Sequence, residues 1–403
     1  MNAKVLDIDL GQATLKRHIR EHFRRLGFTR ASDGSLVPPS FDKAGYREMH
    51  RHQRNEKLEK NSKFLADKGA DLIQFFASGA EVVPAEISPR LALVEANSLE
   101  SDLFRFASLL WQVPVSEGYG RRMRFLVWDD AIGKVIGIFA LGDAVFNLGV
   151  RDDLIGWTAE DRKARLVNLM DAYVLGAVPP YNMLLCGKLL ASLLRTKEVE
   201  IAFRKKYKDS VGIISGERRR PKLVAITTTS ALGRSSVYNR VKLRGIQILS
   251  PIGYTKGWGH FHVPTALFDE MRAYLERKED SYAATFEFGQ GPNWRLRTIR
   301  RVFSDLGLGA NMAQHGLARE VFICTLADNA LEILRGDAKR PIYRDLETVA
   351  DVAGHALARW VIPRAGRDLR YLDWTRNDLA SLLAPSQGVG DTVEQRKNVL
   401  RAT

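Results

Sequence analysis

Apolar and polar positions fall into blocks along the middle of this chain, and two of the blocks read as successive strand-to-helix steps. The run AYVLGAV at 172–178 is apolar, breaks at PPYN, and passes into a helical pattern over 183–194. A second run, KLVAITT at 222–228, passes through SALG into a helical pattern over 235–242. RGIQIL follows at 244–249, and then a strand-like stretch over 257–263. A strand that opens into a helix through a short polar loop leaves backbone N–H groups free at the helix start. Such groups can hold a phosphate.

The same patterning organises the rest. Residues 12–28 place Leu15, Ile19, Phe23 and Leu26 on one helical stripe, and residues 42–78 read as further charged helices. A linker at 84–89 precedes a strand at 90–95 and a helix at 99–111, capped by Asn97 or Ser98. Residues 122–128 and 134–141, joined by DDAIG, predict an antiparallel hairpin. Residues 158–170 predict a helix with Thr158 and Asp161 as a capping box. Helices are also expected over 264–278, from 292, over 325–334 and over 346–360. The division that follows is a basic helical arm (1–84), an α/β core (85–280), a helical C-terminal region (281–384) and a disordered tail (385–403).

Charge changes this picture. The chain of 403 residues has a net charge of +14 and a pI near 9.7, which points to a polyanionic partner and says nothing about fold. Residues 11–70 hold fourteen Lys/Arg against seven Asp/Glu, so half of the excess sits in the arm. Cys186 and Cys324 are too few for a disulfide framework and lack ligand spacing for zinc. No P-loop and no GxSxG elbow occurs. No apolar stretch of about 18 residues exists to span a membrane, and the N-terminus carries acids where a signal peptide is apolar. A cytoplasmic protein is expected.

The order strand, helix, hairpin, helix, strand, helix, strand, helix, strand resembles the acetyltransferase-like (GNAT-like) α/β fold, a mixed sheet flanked by helices. That resemblance implies a fourth strand splayed from the fifth. It also implies an acyl-carrier pyrophosphate on the helix after the fourth strand, at Asn182, Gly187 and Lys188. This loop has one glycine, with Leu184 and Leu185 where close backbone approach is needed. A degenerate acyl-CoA site, and therefore no cofactor, is expected. Longer phrases carry a narrower likeness: YGRRMRFLVW at 119–128, IGIFALG at 136–142, DLIGW at 153–157, VPPYN at 178–182, GRSSVYNR at 233–240, PIGYTKG at 251–257 and GPNWR at 291–295. Together they resemble the DruA family of the Druantia anti-phage defence systems, over roughly residues 90–330. The resemblance implies bacterial antiviral defence within an operon that includes a helicase-like partner. It supplies no catalytic role.

Several residues offer chemistry, and each has a structural explanation beside it. Tyr238 matches a tyrosine that protonates a leaving thiolate in acetyltransferases; a half-buried packing tyrosine is the commoner case. Glu95, Asp129 and Asp130 are possible bases, although aspartates favour turns anyway. His260 and His262 share one face of a strand, without a third ligand. Ser235, Arg234 and Arg240 suit a phosphate, and Ser235 also suits a plain N-cap. Lys205, Lys206 and Lys208, with Arg218, Arg219 and Arg220, belong to residues 201–220, which hold seven Lys/Arg against two Asp/Glu, a surplus of five. Arg295, Arg297, Arg300 and Arg301 extend the set, and Tyr207, Trp258 and Trp294 are candidates for stacking on bases. The preferred reading is a nucleic-acid-binding (DNA or RNA) defence protein. The alternatives are an acyl- or aminoacyl-transferase using acetyl-CoA, a related carrier or a tRNA-type donor, and a scaffold for a helicase.

Overall fold

The computed structural model describes residues 3–116, 120–211, 216, 218–259, 263–278 and 294–385. Seven strands form one mixed sheet: β1 (Pro89–Leu93), β2 (Arg122–Asp129), β3 (Lys134–Asp143), β4 (Leu169–Ala177), β5 (Ala225–Thr229), β6 (Ser250–Tyr254) and β7 (Glu320–Thr325). Their order across the sheet is β6-β7-β5-β4-β3-β2-β1. Every neighbouring pair is antiparallel except β4 with β5. The hairpin of β2 and β3 turns at Gly133, whose φ of 65° is open to glycine at little cost. Asp129 Oδ1 accepts from the Ala131 N–H within the turn at 3.3 Å and from the Ser88 N–H at 2.9 Å, which ties the turn to the start of β1.

The helices are α1 (Ala3–Arg25), α2 (Lys43–Lys60), α3 (Ser62–Leu72), α4 (Leu99–Leu109), α5 (Gly149–Ile155), α6 (Ala159–Arg165), α7 (Cys186–Leu193), α8 (Lys197–Tyr207), α9 (Thr265–Arg277), α10 (Trp294–Asp305), α11 (Ala330–Arg335) and α12 (Val349–Ala356), followed by the short α13 (Ile362–Ala365) and α14 (Leu379–Leu383). On one sheet face α7, α8 and α12 bury Leu189, Leu190 and Phe203 against Phe125 and Phe139. On the other, α3 and α4 bury Phe64, Leu103 and Phe106 against Leu126, Ile138 and Val174. A third cluster draws distant segments together: Ile19 and Phe23 of α1 and Met49 of α2 pack on Met271 of α9 and Phe303 of α10. Each such side chain gains roughly 1.5–3 kcal/mol from burial. The basic arm is therefore fastened to α9 and α10 and lies over the sheet.

Four local expectations need correction. The helix expected over 158–170 has its capping box, with the Thr158 hydroxyl 2.8 Å from Asp161, but it stops at Arg165 because β4 already starts at Leu169. The helix expected over 235–242 is a single 3₁₀ turn, Tyr238–Arg240. There Ser235 Oγ accepts from the Tyr238 N–H at 3.0 Å and Asn239 Nδ2 donates to the Ser235 carbonyl at 2.8 Å, and such local bonds compete with helix. The strand expected over 257–263 is replaced as an edge by β6; Trp258 makes one isolated bridge to Gln314, and residues 260–262 lie outside the described residues. A strand not expected, β7, enters between β6 and β5, and the helix expected over 325–334 shortens to α11.

Candidate nucleic-acid interface

A groove of about 960 Å³ runs between the arm, α4, the open face of β2 and β4, and the start of α9. Its sides carry Lys57 and Lys60 of α2, Lys68 of α3 and Arg105 of α4. Arg122 and Arg124 of β2 and Arg295 of α10 complete the cations, while Tyr173 of β4 lines it beside Phe104. Strand alternation explains the floor: Arg122 and Arg124 share one face of β2, and Met123 and Phe125 are buried on the other. Among the described residues seven cations meet two carboxylates, Glu56 and Asp102, an excess of five.

Hydrogen bonds tie the walls together. Lys68 pairs with Asp102 at 2.6 Å, and Arg105 donates to Asn61 at 2.8 Å while lying 4.0 Å over the Phe64 ring. Lys57 Nζ donates to the Val115 carbonyl. Glu56 accepts from the Thr265 N–H at 3.2 Å and from its hydroxyl at 3.1 Å, and so occupies the start of α9. Arg295 stacks 4.3 Å over Phe268 and donates to the Val263 carbonyl at 2.9 Å; burial lowers its pKa, with Glu56 and Asp269 opposing.

The second recess is where β4 leaves β5. They pair only from Leu169 with Ala225 to Ala172 with Thr228, while β4 continues to Ala177. Tyr238 fills the gap: its hydroxyl donates to the Leu175 carbonyl at 2.8 Å and its ring meets Phe322 edge-on. Burial pushes the phenol pKa up. Ser235, expected to face a phosphate, instead directs its N–H to the Glu320 carboxylate at 2.9 Å. Asn239 Nδ2 reaches the same carboxylate at 2.8 Å, and Glu320 is 5% exposed. An internal anion thus occupies the expected anion place.

The other candidates are scattered. Asn182 is exposed, Gly187 is the second residue of α7, and Lys188 packs 5.2 Å over the Trp360 ring. Burial lowers the Lys188 pKa, and Arg240 and Arg359 add to the effect. Glu95 is exposed beyond the end of β1, three strands from β4, roughly 14 Å at the usual strand spacing. It is not brought to Tyr238. Asp129 is buried and held by the Tyr181 hydroxyl at 2.8 Å.

Lys205, Lys206 and Lys208 are exposed at the end of α8, where Lys206 Nζ donates to the Arg122 carbonyl at 2.9 Å. Burial and then Arg124 lower the Lys206 pKa. Arg218 and Arg219 form a two-residue strand whose side chains lie outside the described residues, and Arg220 and Arg234 are exposed. Arg297, Arg300 and Arg301 are exposed on α10, with Arg300 stacked 4.6 Å over Trp258. Tyr207 is 9% exposed with its hydroxyl on the Arg122 carbonyl, and Trp294 packs edge-on to Phe268; neither is an open stacking platform. His260 and His262 lie outside the described residues.

Of the cations singled out from sequence, Arg295 lines the groove; Lys57, Lys60, Lys68, Arg105, Arg122 and Arg124 were missed one by one. Their signal was the surplus of charge in the arm and the Arg-x-Arg alternation of β2.

A family model described as Druantia protein DruA matches residues 40–336. A curated protein from Escherichia coli (strain UMEA 4076-1), also described as Druantia protein DruA, is 50% identical over 396 residues, 96% of this chain and 98% of that one. No solved structure matches.

Proposed function

The chain belongs to the Druantia DruA family, and from that premise we propose that it is an anti-phage defence component that grips nucleic acid in the groove beneath α2 and α4. The observation that carries this reading is the excess of five cations lining one open recess. Phosphates are the polyanion such a recess suits: Lys and Arg neutralise them and release counterions. An acetyltransferase-like core is part of the proposal. It is supported by the strand order, by the single parallel pair and by the early parting of that pair. Acyl transfer has less support, because Tyr238 fills the gap where β4 parts from β5, Glu320 takes up the donors of the Ser235 loop, and Lys188 packs on the Trp360 ring. The defence role implies partners from the same operon, and a helicase-like protein is the one proposed. Among the described residues no helix is long and apolar enough to cross a membrane.

The test is anisotropy with a labelled oligonucleotide and the full chain. Five phosphate contacts give a log–log salt slope of about 3 to 5 in magnitude. Absent binding at low salt, or binding that ignores salt, refutes the reading.

A further inference from the structure

Resting on the nucleic-acid reading of the groove, we infer that its ligand is a single strand, whose bases enter and stack on Tyr173 while its phosphates meet the cations above. Three observations point there. First, the cations line a recess. Proteins that read duplex DNA push a helix or ribbon into a groove about 12 Å wide, so their cations crown a ridge. Here Arg122, Arg124 and Tyr173 project from the sheet face into a concavity walled by α2 and α4.

Second, the walls are tied to one another. Lys68 to Asp102 and Arg105 to Asn61 join the arm to α4, and Glu56 to Thr265 joins it to α9. Widening the recess to take two paired strands breaks these bonds. About 960 Å³ is at the upper end of ordinary ligand pockets, which suits a few nucleotides of one strand.

Third, the floor mixes an aromatic face with guanidinium groups. Tyr173 is half-buried on β4, and Arg124 lies 5.8 Å over the Phe104 ring. Base stacking on an aromatic beside cations is the sequence-tolerant mode of single-strand binding.

The experiment uses the full chain with a labelled oligothymidylate, an oligouridylate and a duplex of equal length. The single strands bind at least tenfold tighter than the duplex, and the two single strands report whether sugar chemistry matters. Tyr173→Leu lowers single-strand affinity by roughly fivefold to a hundredfold and leaves the salt slope unchanged, because a stacking partner and no phosphate contact is lost. Tyr173→Phe keeps near-normal affinity and controls for folding. A strand carrying 5-bromouracil, irradiated and mapped by mass spectrometry, crosslinks at Tyr173. Duplex binding equal to or tighter than single-strand binding overturns the inference and leaves the nucleic-acid reading standing. A crosslink confined to residues away from the groove overturns both the inference and the groove as the binding place. Binding to none of the three overturns both.

Discussion

The sheet offers two recesses, and the chain treats them in opposite ways. Where β4 parts from β5, the protein fills the space with its own groups: the Tyr238 hydroxyl on the Leu175 carbonyl, and the Glu320 carboxylate on the Ser235 N–H. Over β2 and β4 it leaves about 960 Å³ open and lines it with seven cations. Buried polar groups in the first are matched internally, as a dry interior requires. Among the described residues the cations in the second face two carboxylates, Glu56 and Asp102, which suits a partner that brings its own negative charge. The filled recess therefore holds the fold together, and the open one is available for binding.

Acid separates the two most strongly. Next to Glu320 in the chain, Arg319 lies against His50 of α2 and His315, each 3% exposed, with Arg319 Nη2 2.8 Å from His50 Nε2. Burial first, and Arg319 second, lower each pKa to about 3. The unfolded chain holds these two protons below about pH 6.5 and the folded chain does not, so stability is full above that pH and falls as pH drops toward 3. The loss is roughly 2 kcal/mol per histidine by pH 5. Urea unfolding followed from pH 7.5 to 4.5 measures it, and His50→Gln is expected to halve the pH slope. A flat profile shows that the interior is wetter than the geometry says.

The next largest effect belongs to the open recess. Arg122→Ala with Arg124→Ala removes two cations from the floor. Affinity is expected to fall about tenfold to a hundredfold near physiological salt, and the salt slope to drop by about 2. Arg240→Ala, beside the filled recess, serves as the contrast and should change affinity less than threefold. Equal losses at both places dissolve the distinction between them.

How far the sequence revealed this contrast depends on the range of the forces involved. The hairpin of β2 and β3 and the caps at Thr158 and Ser98 are local, and the patterns at 122–141, 158–161 and 98–101 were sufficient for them. The pairing of β4 with β5 followed from two apolar runs separated by a crossover. The edge of the sheet did not follow. The segment EVFICT of β7 is buried along most of its length and has no alternation to betray a strand. The Ser235 loop looked like a phosphate site because Glu320, 85 residues away, supplies the charge that fills it. The groove was invisible for the same reason. Its cations come from α2, α3, α4, β2 and α10, and only packing in three dimensions gathers them.

The smallest effect gives the sharpest test of the filled recess. Tyr238→Phe removes one hydroxyl and leaves the Leu175 carbonyl without its donor. If the tyrosine is a structural filler, the loss is about 1 kcal/mol of stability, the typical net value of one hydrogen bond, and urea unfolding will show it. Nucleic-acid affinity and protection against phage then stay as they were, since the groove is untouched. If the tyrosine is instead a general acid for acyl transfer, transfer to any acceptor is abolished while the donor still binds. The two outcomes move different observables. A variant that folds almost normally yet loses defence would return the splay of β4 and β5 to the list of functional sites and reduce the groove to a secondary surface.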